Sequence, residues 1–222
     1  MHDSTLDPLI STARLLRPLL SELVFVGGSV TSLLVTDQGA AHPRVTRDVD
    51  AVAAIGSYAE YAAFGERLRE LGFSEDTSED APACRWVHSG NILDIMPLDE
   101  SILGFSNRWY RAAMDTAARY KLVPGLEIRL ISAPVFVATK LEAFKGRGGG
   151  DIFSHDLEDA IAVIDGRETL LDEVRADSVQ LRAYLKAQVS WPRSPGFSRC
   201  PPWVPAPRLR QPIQSRHSTP AA

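Results

Sequence analysis

"LVFVGGSV" (23–30), "RDVDAVAAI" (47–55) and "NILDIMP" (91–97) are the stretches that decide the fold. In the first, a short apolar run stops at Gly27-Gly28, and "SVTSLLV" (29–35) follows as a short helix. A strand that ends at glycines and turns into a helix lets the backbone approach a ligand closely, and the N–H groups there favour anions. Ser29 adds a hydroxyl, either toward a ligand or as the helix cap. In the second stretch, Asp48 and Asp50 stand two residues apart on an apolar strand, so both carboxylates point to one face. Such a pair is either solvated at an exposed strand end or compensated by a cation. Mg²⁺ is the natural match, a hard ion with oxygen ligands that is often shared with substrate phosphates. In the third, Asp94 is a single acid among Ile92, Leu93, Ile95 and Met96. A buried strand seldom carries an unpaired carboxylate. If 91–96 lies beside 48–55, Asp94 joins the other two around a metal; the alternative is a salt bridge to Arg85 or Arg129.

Outward from these stretches the chain alternates between strand and helix signals. Ser57 and Glu60 have the spacing of a capping box. Tyr61, Phe64, Leu68 and Leu71 form one helical stripe that stops at Gly72. "CRWVH" (84–88) and 91–96 flank Ser89-Gly90, and "ARYKLV" (118–123) and "LEIRLI" (126–131) flank Pro124-Gly125, so both pairs predict hairpins. After Ser132 the signals turn helical. Val137, Leu141 and Phe144 make one stripe, and Leu157, Ile161 and Ile164 make the next, closed by Gly166. Helices near 168–176 and 178–189 complete the body. The expected fold class is α/β, of the α+β kind: a core with a small mixed sheet over 1–131, then a helical half over 132–189.

The remainder, 190–222, differs in kind. Eight of the 15 prolines lie in 191–222, and segments such as "RCPPWVPAPRLRQP" cannot continue a helix and bury little. The expectation is a Pro/Arg-rich disordered tail. Charge follows the same division. Of 24 Lys and Arg, seven lie in 178–222, which holds no acid; all 28 Asp and Glu lie in 1–177, a formal −11 against +7. So acidic a body is a poor general nucleic-acid binder, except through a local patch. Cys84 and Cys200 form no metal or redox spacing, which excludes a disulfide framework. No membrane-spanning run and no secretion-signal layout occur, so the expected location is cytoplasmic, with no membrane partner.

Taken together, "VGGSV…RDVDAV…ILDIM" resembles the nucleotidyltransferase superfamily of DNA polymerase β-like folds. Its signature is a Gly-Ser at the start of a helix, an Asp-x-Asp on a strand, and a third Asp on a neighbouring strand. Ser29 to Asp48 is a long spacing for it and implies an extra loop at 37–47. Within that superfamily, "SAPVFVATKLEAFKGRGGGDIFSHDLEDAIAVIDGR" (132–167) resembles the AbiEii/AbiGii toxin branch of type IV toxin–antitoxin and phage-defence nucleotidyltransferases. There a helical Lys precedes a Gly- and Arg-containing loop and a helix that begins with an Asp. Lys140 and Asp156 match those positions, with Asp159 as a substitute for Asp156.

The resemblance implies transfer of NMP from an NTP to an acceptor hydroxyl, with release of pyrophosphate. Asp48, Asp50 and Asp94 would hold Mg²⁺ or Mn²⁺. Gly27, Gly28, Ser29 and Arg47 would bind the nucleotide. Lys140 and Asp156 would serve the reaction, Asp156 by orienting Lys140 or binding the acceptor. It further implies a tRNA or other RNA acceptor and a cognate antitoxin encoded nearby. From the residues alone, Lys140 sits at the margin of a buried stripe and either snorkels outward or enters a cleft. Asp156 either complements its helix dipole or serves the site. His155 reads as a surface residue, and Gly148-Gly149-Gly150 as a connector or a phosphate loop. Three further function classes stay open: a small-molecule, aminoglycoside-type nucleotidyltransferase, which suits an acidic body and a cationic acceptor; a protein-modifying enzyme; and a catalytically silent nucleotide-binding module.

Overall fold

The computed structural model describes residues 4–147 and 151–189; Gly148 to Gly150 and the tail 190–222 lie outside the described residues. The strands are β1 (Leu23–Val26), β2 (Asp48–Ala53), β3 (Ser74–Glu75), β4 (Arg85–His88), β5 (Asn91–Met96), β6 (Ala118–Val123) and β7 (Leu126–Leu130). Among the described residues they form one mixed sheet in the order β3-β4-β5-β2-β1-β7-β6. The helices are α1 (Asp7–Leu15), α2 (Thr31–Leu34), α3 (Tyr58–Glu70), α4 (Glu100–Leu103), α5 (Tyr110–Thr116), α6 (Ala133–Arg147), α7 (His155–Gly166), α8 (Leu170–Ala176) and α9 (Val179–Val189). The mixed α/β class expected from the sequence is the class observed. No described helix is long and apolar enough to cross a membrane.

The centre of the sheet follows from composition. All four residues of β1 are buried, as a strand covered on both faces requires. It pairs antiparallel with β2 and parallel with β7, through Phe25 and Leu130. β2 pairs parallel with β5, and β5 forms the expected hairpin with β4. That hairpin turns at Ser89 (φ +47°) and Gly90 (φ +84°), the two positive φ values of a type I′ turn. The second hairpin, β6 with β7, also forms; it carries an irregularity near Lys121 and puts β6 at the sheet edge. α3 is capped reciprocally. Ser57 Oγ accepts from Glu60 N at 3.2 Å, and Glu60 reaches back one residue further than a standard box, to Gly56 N at 2.7 Å. Trp86 and Leu93 share a sheet face, and Gly65 lets α3 close on it; a Cβ at Gly65 would come within 3.0 Å of the Trp86 ring.

The helical half departs from the simple stripes. α6 is buried along its first two turns, from Ala133 through Lys140, because α5, α7, α8 and α9 pack around it. Val137 is buried as expected, while Leu141 and Phe144 are only half-buried. In α7 the expected face is reversed. Ile161 and Ile164 are 54% and 47% exposed, whereas the side turned inward carries Asp156, Asp159, Ala160, Val163 and Gly166. The inward face must accommodate Lys140 of α6, and acids meet that demand where leucine would not. This reversal gives a direct test. Ile161→Ser is expected to change unfolding free energy by less than about 0.5 kcal/mol, and Val163→Ala to cost about 2 kcal/mol, measured by urea denaturation. Equal losses would contradict the observed face.

Candidate active site

The strand register builds the acidic side of the site. Asp50 is paired with Asp94 across the parallel β2–β5 ladder, Asp94 with Arg85 across the β5–β4 hairpin, and Asp50 with Val26 of β1. Paired residues point to one face, so Arg85, Asp94 and Asp50 stand in a row, with Asp48 one step along β2. The chain turns immediately after Val26, which places Gly27 against the row. Gly27 has φ +69°, and a Cβ there would overlap the Asp50 carboxylate.

Each acid of the row has its own setting. Asp94 is 6% exposed and accepts from Arg85 bidentately, Nε at 2.8 Å and Nη2 at 2.7 Å. The same Nη2 is 3.6 Å from Asp48, and the Thr46 hydroxyl donates to Asp48. Arg85 is therefore the salt-bridge partner foreseen as one alternative for Asp94. The other named cation, Arg129, instead donates to the backbone oxygens of Met114 and Ser21. The hydrogen bond to Asp94 pushes the guanidinium pKa of Arg85 above its ordinary value. The field of the row also reaches Cys84. Burial first, then the charges of Asp94 and Asp50, push that thiol up to about 12.

The second half of the site comes from α6 and α7. Lys140 is 7% exposed and does not snorkel. Its Nζ lies 2.8 Å from Asp159 Oδ2 and 3.2 Å from Asp156 Oδ1. Asp156 is fixed at the start of α7, where Ser154 caps the helix by accepting from Asp156 N at 3.3 Å. Asp159, at 1% exposure, is the more buried of the two acids and the nearer to Lys140, so both readings of this position are realised together. Arg44, from the loop between α2 and β2, joins them, with Nε 3.2 Å from Asp159 Oδ1 and Nη2 3.3 Å from Oδ2.

Gly28 connects the halves. A Cβ there would stand 2.8 Å from Arg44 Nη2 and 3.3 Å from Asp159 Oδ2. Gly27 thus touches the acid row and Gly28 the cation cluster. Ser29 is buried, caps no helix, and its Oγ has no hydrogen-bond partner among the described residues. Asp48, Asp50, Asp94, Gly27, Gly28, Lys140 and Asp156 are thereby brought into one region. Arg47 points to solvent, and His155 is exposed with only Glu158 beside it, at 3.4 Å. Arg44 escaped the sequence reading. Its signal, a cation four residues before the acid pair, is shared with the more conspicuous Arg47.

A divalent cation fits part of this arrangement. Asp48 and Asp50 share a strand face beside Gly27, and Mg²⁺ commonly takes one or two carboxylates and completes its shell with substrate phosphates and water. Both Asp94 oxygens are already occupied by Arg85, and no group of three metal-binding side chains converges among the described residues.

No protein-family model matches the chain, and no characterised protein matches it in sequence. Among solved structures it is similar to an antigenic nucleotidyltransferase-like protein from Paracoccidioides brasiliensis. That match has 19% identity and a TM-score of 0.50, and covers 82% of this chain and 87% of the other. The chain has a nucleotidyltransferase-like fold. It is also matched by the antibiotic-resistance factor ANT(2'')-Ia, at 13% identity and a TM-score of 0.45, over 81% of this chain and 94% of that one.

Two pairs of substitutions test the geometry. Gly27→Ala is expected to cost more than Gly90→Ala. Both require positive φ, worth about 1–2 kcal/mol, but space is open around Gly90 while Asp50 fills it at Gly27. Equal losses on urea denaturation would remove the steric claim. Lys140→Met removes the buried cation that Asp156 and Asp159 share and is expected to cost about 3 kcal/mol or more. Adding Asp159→Asn should recover part of that loss. A neutral Lys140→Met would mean that Lys140 is solvated.

Proposed function

We propose that the protein is a metal-dependent nucleotidyltransferase that moves NMP from an NTP to an acceptor hydroxyl. One observation carries this reading. The Gly27-Gly28 turn sets an acid row on one side and the Lys140–Asp159–Arg44 cluster on the other. The fold shared with a nucleotidyltransferase-like protein supports it.

In this reading Asp48 and Asp50 would hold Mg²⁺, which when bound would supply charge neutralisation to the triphosphate. Gly27, Gly28 and Ser29 bind the β- and γ-phosphates through the backbone N–H groups of the turn and the Ser29 hydroxyl. Lys140, fixed by Asp156 and Asp159, offsets the charge that builds on the leaving pyrophosphate. The acceptor oxygen bonds to the α-phosphorus, the bridge from α- to β-phosphate breaks, and the acceptor proton passes to a carboxylate of the row. Asp94, clamped by Arg85, keeps the row in register.

For the acceptor, the resemblance of residues 132–167 to the AbiEii/AbiGii branch supports an RNA such as tRNA. It also supports a cytoplasmic toxin role with a neighbouring antitoxin. The formal −11 of residues 1–177 favours a second reading, a cationic small molecule of the aminoglycoside type.

The test uses purified full-length protein, each labelled NTP, Mg²⁺ or Mn²⁺, and two acceptor panels, tRNA and aminoglycosides. Label transfer to one panel, with pyrophosphate release, is expected, and EDTA should abolish it. Asp48→Asn and Asp50→Asn should each abolish transfer while the melting temperature holds or rises, because a repelling carboxylate is removed. Full turnover in either variant would refute the metal assignment.

A further inference from the structure

The loop between α2 and β2 is more than a connector. At its start, the N–H groups of Thr36 and Asp37 both donate to Gly166 O at the end of α7, at 2.8 and 2.9 Å. Gly166 permits that contact; a Cβ there would press on Val35 Cγ1 at 2.7 Å. Toward its end, Arg44 reaches Asp159, two turns earlier on the same helix. The loop is thus tied at two points along α7, and the second tie sets the guanidinium over Gly28.

The pairing leaves Arg44 incompletely used. Asp159 accepts one hydrogen bond, from Nη2 at 3.3 Å; its other oxygen stands 3.2 Å from Nε without a hydrogen bond, and no described residue engages Nη1. The end edge of the fork, Nη1 with the outer N–H of Nη2, is the edge that matches two oxygens of a phosphate. The Arg44 side chain is 24% exposed, so it is not sealed in the core. Asp159 is also paid for twice, by Arg44 and by Lys140 at 2.8 Å, so a carboxylate this buried serves to fix two cations beside one glycine. The neighbouring Ser29 Oγ is a further buried polar atom at the same turn, without a hydrogen-bond partner among the described residues.

We propose that Arg44 binds the β- or γ-phosphate of the nucleotide above Gly28, and that Asp159 is its positioning residue. This deepens the nucleotidyltransferase reading and rests on it. Arg44 recognises the phosphates beyond the α position, so its effect distinguishes triphosphates from monophosphates and does not depend on the base.

The test is equilibrium binding of labelled ATP, GTP, CTP and UTP, and of the matching monophosphates, to full-length protein with Mg²⁺ and no acceptor. In wild type at least one triphosphate should bind more tightly than its monophosphate. Arg44→Gln should weaken that triphosphate about tenfold or more and leave the monophosphate unchanged. Arg44→Lys keeps a charge for Asp159 and therefore the fold, but loses the fork; it should weaken the triphosphate several-fold. Asp159→Asn should weaken it as well, and raise KM more than it lowers kcat. Wild-type triphosphate affinity in folded Arg44→Gln or Arg44→Lys overturns the inference and leaves the nucleotidyltransferase reading standing. Equal loss of triphosphate and monophosphate also overturns it, since Arg44 would then shape the whole pocket. A wild-type protein that binds no nucleotide overturns both.

Discussion

The absent side chain at Gly27 is the constraint around which the molecule is arranged. β1 must leave the sheet directly beside Asp50, and only a residue without Cβ, at positive φ, can pass. The same turn delivers Gly28 to Asp159 and Arg44. Two sets of charges, one from β2, β4 and β5 and the other from α6, α7 and the loop before β2, therefore meet across two glycines. Neither set is stable as a cluster of like charges in a low-dielectric environment. Each carries its own compensation: Arg85 for the acids of β2 and β5, Lys140 and Arg44 for the acids of α7. By formal count the two acids of α7 are matched by two cations, while three acids of the row face one arginine, so the row keeps the negative charge that suits a cation.

The acid row was legible because its causes are local. The i, i+2 spacing of Asp48 and Asp50 forces a common face, and a single acid in "NILDIM" is out of place on a buried strand unless it serves something. The hairpins were equally legible, since Ser89-Gly90 and Pro124-Gly125 are turn chemistry in two letters. Strand order was not contained in such signals. That β1 separates β2 from β7, and that β2 rather than β4 lies beside β1, are outcomes of packing over long separations.

The helical half misled for a definable reason. Apolar periodicity marks the buried face only when the partner surface is apolar. α7 packs against a helix that presents Lys140, so its inward face carries Asp156 and Asp159, and the regular isoleucines are left outside. Arg44 was hidden differently. It acts from a loop with no periodicity, and its partner Asp159 lies on the far side of six strands and several helices in sequence. The charge of Lys140 could be read from a matched position, but its depth could not, because burial on all sides of α6 depends on four other helices.

The parallel pairing of β1 with β7 sets an order of events on the ribosome. Leu23–Val26 is made early and is the most apolar strand of the sheet, yet the residue that seals one of its edges, Leu130, is synthesised more than a hundred residues later. β2 can close the other edge soon after. Until β7 emerges, a buried-type strand has backbone groups open to any passing chain, the situation in which newly made sheets associate wrongly. A nascent chain stalled before the second hairpin would be the vulnerable species, and yield in cells would track how quickly residues 118–130 appear and dock.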